Sequence, residues 1–376
     1  MFETLSHLAL QQYWWVLISI LGGVLVAFLF VQGGQTLIYT VGKTEKERTM
    51  LVNSLGHKWE LTFTTLVTFG GAMFAAFPLF YATSFSGAYW VWMIILFCFV
   101  IQAVAYEYRT KPANFLGQRT YEIFLIINGS IGVILLGAAV ATFFTGSQFY
   151  VDELRHSEWK SSFHGIEAAF NPENLLLGLS VFFLARILAL LYFASNIDDE
   201  NINTRVKKQL IINTLPFLLV FLSFVTILFI KDGFAYCEHT KIVTLENNKY
   251  LHNLLEMPYL LVLFLTGVVL VLTGIIKGIF TMSKRGIWFS GIGTFLTVFS
   301  LFCIAGLNKT CFYPSTYDLQ SSLTIENASS SHYTLIAMSY VSLVIPVVII
   351  YIFFVWKAMD KKQISSTNID EEETLY

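Results

Sequence analysis

Apolar residues along this chain fall in long unbroken blocks, without the alternation of a half-buried strand or the single stripe of a surface helix. Nine such stretches run near 13–40, 61–82, 87–106, 121–146, 174–195, 209–230, 256–281, 286–307 and 334–357. A helix rises 1.5 Å per residue, so about 20 apolar residues cross roughly 30 Å of hydrocarbon. In lipid each backbone polar group must be satisfied within its own segment, which makes every stretch a helix. Barrel strands would instead be about ten residues long with alternating polarity. The pattern predicts an all-α polytopic membrane protein with nine transmembrane helices in one domain over 1–357. A polar tail, 358–376, is expected to be disordered.

Basic residues in the connections set the expected orientation. The odd-numbered connections and the C-terminal tail hold 15 Lys and Arg, among them Lys43, Arg48, Lys58, Arg109, Arg205 and Lys284. The even-numbered connections hold 6, and the N-terminal segment none. This bias predicts an N-terminus outside and a C-terminus in the cytoplasm, as an odd number of spans requires. Met1 to Gln12 lacks the basic start of a cleaved signal, so the first helix is expected to direct insertion.

Composition strengthens the membrane reading. Hydrophobic residues make up 56% and charged residues 13%, with mean hydropathy +0.65, against about 25% charged in soluble chains. A net charge of -2 leaves no basic face for nucleic acid. The four cysteines form no CxxC pair, and no metal site on this chain is expected. Cys237 and Cys311 fall in outside loops, where a disulfide and two free thiols stand as alternatives. No Walker motif, GxSxG or HExxH occurs.

Ionisable groups at membrane depth are costly and therefore candidates for function. Glu60 opens the second helix, Glu107 closes the third and Glu122 opens the fourth, all toward the cytoplasmic side. Carboxyls at one mouth of a bundle can take up protons; the plainer alternative is that Glu60 stabilises a helix N-terminus. Arg186 sits halfway along the fifth helix, either paired or lining a wet cavity, and Lys277 can reach the interface. Gln32 and Gln35 flank Gly33-Gly34 in an uncharged polar patch. All seven histidines lie in loops or at helix ends, so no haem held by mid-helix His pairs is expected.

The stretch from Asn53 to Arg109 carries a recognisable pattern: Asn53-Ser54, Trp59-Glu60, Gly70 to Pro78, Tyr81-Ala82, Phe85 to Gly87, and Glu107 to Arg109. With Pro314-Ser315 and the block from Ser321 to Leu335, it resembles subunit II of cytochrome bd quinol oxidases. The resemblance implies a partner subunit I that carries two b-type haems and one d-type haem. The complex would oxidise membrane quinol and reduce dioxygen to water with cytoplasmic protons, in a bacterial inner membrane. Subunit II of this family supports the complex, contributes to proton access and in some members holds a structural quinone. A small single-helix subunit is a further partner that the resemblance leaves open.

On that resemblance, Glu60 and Glu107 are the expected proton-access carboxylates, with Trp59 and Arg109 organising the same mouth. This chain departs from the family where Asp-Gly-Phe-Asp becomes Gln32-Gly33-Gly34-Gln35 and where an Arg becomes Gln102. Losing two acids and a base together resembles removal of a charge-compensated cluster, because an unpaired buried charge is costly. A competing class is a nine-helix proton-coupled transporter using Glu60 and Arg186. Transporters favour broken helices in matching halves, and no such paired Gly/Pro interruptions occur.

Overall fold

The computed structural model describes residues 2–360 and 363–364. The first span is built from α1 (His7–Phe28) and α2 (Phe30–Gln35), followed by one turn, α3 (Ile38–Val41). Ser6 caps α1 by accepting from the Ala9 N–H. Next come α4 (Glu45–Gly56), opened by a Thr44/Glu47 capping box, and α5 (Trp59–Ala76). After α5 lie α6 (Pro78–Phe80), a π-helical turn over Tyr81–Gly87, and α7 (Tyr89–Tyr108). The fourth span joins α8 (Gln118–Ile127) to α9 (Val133–Thr145) through a π-helical bulge at Asn128–Gly132. The rest are α10 (Pro172–Asn196), α11 (Glu200–Ile230), the short α12 (Lys249–Glu256), α13 (Pro258–Thr281) and α14 (Gly286–Gly306). The last span is α15 (His332–Ser342) continued by α16 (Ile345–Met359).

Eight helices among the described residues are long and apolar enough to cross a membrane. A ninth is reached by counting Glu45–Ala76 and Pro78–Gly87 as one span, although the two are bent by 116°. The stretch expected as a plain helix over 61–82 is therefore broken. Pro78 has no N–H, and a residue before proline is pushed out of the α region; Phe77 stands at φ -132°, ψ 66°. The freed carbonyls find remote partners: Ser330 donates its N–H to Ala76 O at 2.8 Å and its hydroxyl to Ala75 O at 2.6 Å. The two blocks that carried the sequence resemblance thus meet at this break.

The three long connections gather at the end of the bundle that holds the N-terminus. Two antiparallel hairpins lie there, β1 (Phe149–Val151) with β2 (Ser157–Trp159), and β3 (Gly233–Tyr236) with β4 (Val243–Glu246). Gln11 Nε2 reaches Ser329 Oγ at 2.6 Å, tying the first helix to this cap. At the opposite end the connections are short. Among the helix contacts that only glycine fits, a Cβ on Gly33 would lie 2.1 Å from the Ala185 backbone, and one on Gly129 2.2 Å from Gln32 O. Gly71 has open space beside it, so the Gly70-Gly71 pair does not seat a helix within this chain.

The chain does not leave the bundle at 358. Ala358 and Met359 complete α16, Asp360 is held by four side chains, and Ile364 forms a parallel bridge with Ile197. The rest of the tail expected to be disordered, 361–362 and 365–376, lies outside the described residues.

Candidate functional site

A group of buried charged and amide side chains lies toward the end opposite the N-terminus. Arg109, at the C-terminus of α7, is buried. Its Nε and Nη2 donate to Glu122 Oε1 at 3.1 and 2.8 Å. Tyr39 donates to Glu122 Oε2 and Gln118 Nε2 to Oε1, while Arg48 Nε lies 3.6 Å from Oε2. A carboxylate this deeply buried remains only because cations and donors surround it. The nine-residue turn between α7 and α8 brings the pair together.

Of the expected proton-access residues, Trp59 is half-buried and stacks on Tyr106 at 6.0 Å. Glu60 and Glu107 are exposed on this chain taken alone. Glu107 lies 3.6 Å from Lys111, one turn along. The carboxylate that meets Arg109 is therefore Glu122.

Deeper in, Gln32, Gln35 and Gln102 converge, joined by Asn128. Gln102 Oε1 accepts from Gln32 Nε2 at 2.8 Å, from Gln35 Nε2 at 2.5 Å and from Asn128 Nδ2 at 2.6 Å. Gln35 also donates to the Tyr106 hydroxyl at 3.2 Å. All four amides are fully enclosed, at 0% exposure. Their geometry depends on Gly33 and Gly129, which let α2 settle against α10 and the bulge. π-Bulges often mark functional positions, and this one turns Asn128 inward. The cluster has donors and acceptors but no group that changes charge.

Two further polar knots lie nearby. Lys58, 2% exposed, meets Asp360 at 2.6 Å; the same carboxylate accepts from Tyr192, Asn196 and Trp356. Arg186 donates to Asn213 and Thr36.

At the N-terminal end a cavity of about 330 Å³ opens among Trp92, Trp159, Glu167, Asn174, Thr142 and Tyr313. Below it lies an apolar slot of about 60 Å³ that shares Trp92 and is walled by Gly22, Val140, Phe143 and Phe302.

His7 and His332 meet edge to face and bond to the carbonyls of Ser330 and Leu5. Among the described residues, no group of three or more His, Cys, Asp or Glu is placed to hold a metal ion. Cys237 and Cys311 are both free thiols. Cys237 is exposed, and bonds from Thr240 and the His239 backbone bring its thiol down to about 7. Burial pushes Cys311 up to about 12.

Residues 10–359 match the profile of the family described as cytochrome bd terminal oxidase subunit II. The Escherichia coli K12 protein named cytochrome bd-I ubiquinol oxidase subunit 2 is 27% identical over 362 residues, covering 92% of this chain and 93% of that one. The Bacillus subtilis cytochrome bd ubiquinol oxidase subunit 2 is 26% identical over 345 residues, with 89% and 91% covered. Among solved structures, a chain of the bd oxidase from Geobacillus thermodenitrificans superposes with TM-score 0.59 at 14% identity, covering 93% of this chain and 96% of that chain, a likeness of fold. With a profile match that runs from the first helix to the end of the last, this chain belongs to the cytochrome bd terminal oxidase subunit II family.

Proposed function

We propose that the chain is the subunit of a membrane quinol:dioxygen oxidoreductase that does not ligate haem, paired with a subunit I that holds the b- and d-type haems. The observation that carries this reading is the family match over residues 10–359. When bound in the partner, the haems supply electron transfer and oxygen reduction. The histidines here favour that division of labour. His7 and His332 are committed to backbone carbonyls, His252 sits in the short α12 against Glu246, and the others lie in loops or at helix ends, so none is in the middle of a span.

This chain's own contribution is structural and protonic. The N-terminus faces outside and the short connections face the bacterial cytoplasm, in line with the 15 basic residues that these connections and the C-terminal tail hold together. Glu60 and Glu107 collect protons at the cytoplasmic mouth, where their exposure on this chain leaves them accessible to water or the partner. Trp59, stacked on Tyr106, and Arg109, fixed by Glu122, hold the shape of that mouth. The chamber and slot by Trp92 have the shape for a structural quinone. A small single-helix subunit would find lateral surface on α16, none of whose residues is fully buried in this chain.

An optical spectrum and a gel of the tagged protein in mild detergent test the reading. A d-type band with a second, larger hydrophobic subunit is expected. A colourless protein that purifies alone and is stable would overturn it.

A further inference from the structure

Inside the bundle, Arg109 and Lys58 each meet a carboxylate. Arg186 meets none among the described residues. It is the fifteenth of 25 residues in α10, about 15 Å from the helix end at 1.5 Å per residue. Its Nε donates to Asn213 Oδ1 at 2.7 Å, its Nη1 to Thr36 Oγ1 at 2.8 Å, and it lies over the Phe182 ring at 5.4 Å. These bonds to neutral groups on two neighbouring elements pin the guanidinium at depth, so it does not stretch to the interface as a free side chain would. A guanidinium carries five N–H donors, and Arg186 stays partly exposed at the flank of the bundle.

A polar stripe leads to it. Arg205, Gln209 and Asn213 fall at i, i+4 and i+8 of α11 and so share one face. Asn213 Nδ2 is anchored on Gln209 O at 2.7 Å, and Arg205 pairs with Glu47 at the end of the bundle. The stripe runs from the end of the bundle that holds the short connections, where Lys207 and Lys208 also lie, to Arg186.

We propose that Arg186, oriented by Asn213 and Thr36, binds the phosphate of an anionic phospholipid drawn in from the leaflet at this end. A phosphodiester offers oxygens that match the guanidinium fork, and a basic membrane-facing end concentrates anionic lipid. The stripe's continuity from the surface favours a lipid headgroup over a carboxylate presented by a facing protein helix. The site does not depend on the oxidase reading.

The test uses the assembled complex, as wild type, Arg186→Lys and Arg186→Gln. Phospholipid that survives exchange into detergent is counted by native mass spectrometry and organic phosphate. Wild type should keep at least one anionic phospholipid that Arg186→Gln loses, with partial retention in Arg186→Lys. In nanodiscs, wild type should melt higher in phosphatidylglycerol than in phosphatidylcholine, and this difference should vanish in Arg186→Gln. Equal retention in wild type and Arg186→Gln would overturn the proposal. So would equal melting of wild type in both lipids, or a partner-subunit carboxylate found on Arg186. Should Arg186→Gln fail to assemble, the wild-type nanodisc comparison decides.

Discussion

Lys58 Nζ and Asp360 Oδ1 are 2.6 Å apart although 302 residues separate them. Lys58 begins the second span and Asp360 ends the last. No residue of α16 is fully buried in this chain, and at this end it is tied to the rest by the polar knot around Asp360 and by Trp356 packed on Phe28, Phe30 and Trp288.

Asp360→Ala should therefore lower the stability of the complex by about 3 kcal/mol, the usual cost of leaving a buried charge unpaired. Lys58→Met combined with Asp360→Ala should recover much of that loss. Thermal unfolding of the purified complex reads both variants; equal melting of the single and double variants would show that Lys58 is not what Asp360 neutralises.

The Arg109–Glu122 pair leads to a second expectation. Glu122→Gln keeps shape but removes the charge facing Arg109 and Arg48, so assembly and melting temperature should fall. Glu60→Gln with Glu107→Gln should leave the haem spectrum intact and slow oxygen consumption at least twofold if the two acids take up protons as proposed. Unchanged oxygen and proton uptake in that double variant would reduce these two acids to surface charges.

The amide cluster allows a reconstruction. Gln102→Arg alone places an uncompensated cation among Gln32, Gln35 and Asn128 and should cost about 3 kcal/mol or more. Adding Gln32→Asp should restore assembly, because the two positions are in hydrogen-bond contact. The yield of complex, measured by its absorbance, reports the result.

Cys237 should be alkylated near neutral pH and Cys311 should not. With its pKa lowered to about 7, the Cys237 thiolate fraction rises through pH 7, so labelling should climb between roughly pH 6 and 8 and then level off. Cys311, buried and raised to about 12, should react only after unfolding. Mass spectrometry of maleimide-treated complex checks both, and a bonded pair would label at neither.

The spans were legible because runs of some 20 apolar residues have few other uses. The 116° bend was not, since the residues on either side of Phe77-Pro78 are equally apolar and only Pro78 marks the place. Gln32, Gln35 and Gln102 stood out as polar groups in apolar runs, whereas Asn128 was missed: its bulge shifts the helical register, and Asn128-Gly129-Ser130 was the one available signal. Arg109 was legible as part of the inner mouth, but its carboxylate partner was not. Residues two apart on a helix point to opposite faces, and Glu122, one turn into the next helix, takes that place. Asp360 was hidden in a tail whose composition reads as solvent-exposed.

The uncharged amides where the first, third and fourth spans meet have an electrical consequence. A membrane potential does work only on charge, about 2.3 kcal/mol per elementary charge for each 100 mV. At Gln32, Gln35, Gln102 and Asn128 it has no net charge to move. Any voltage sensitivity of the assembled oxidase originates elsewhere, in the ions that flank this neutral region or in the partner subunit.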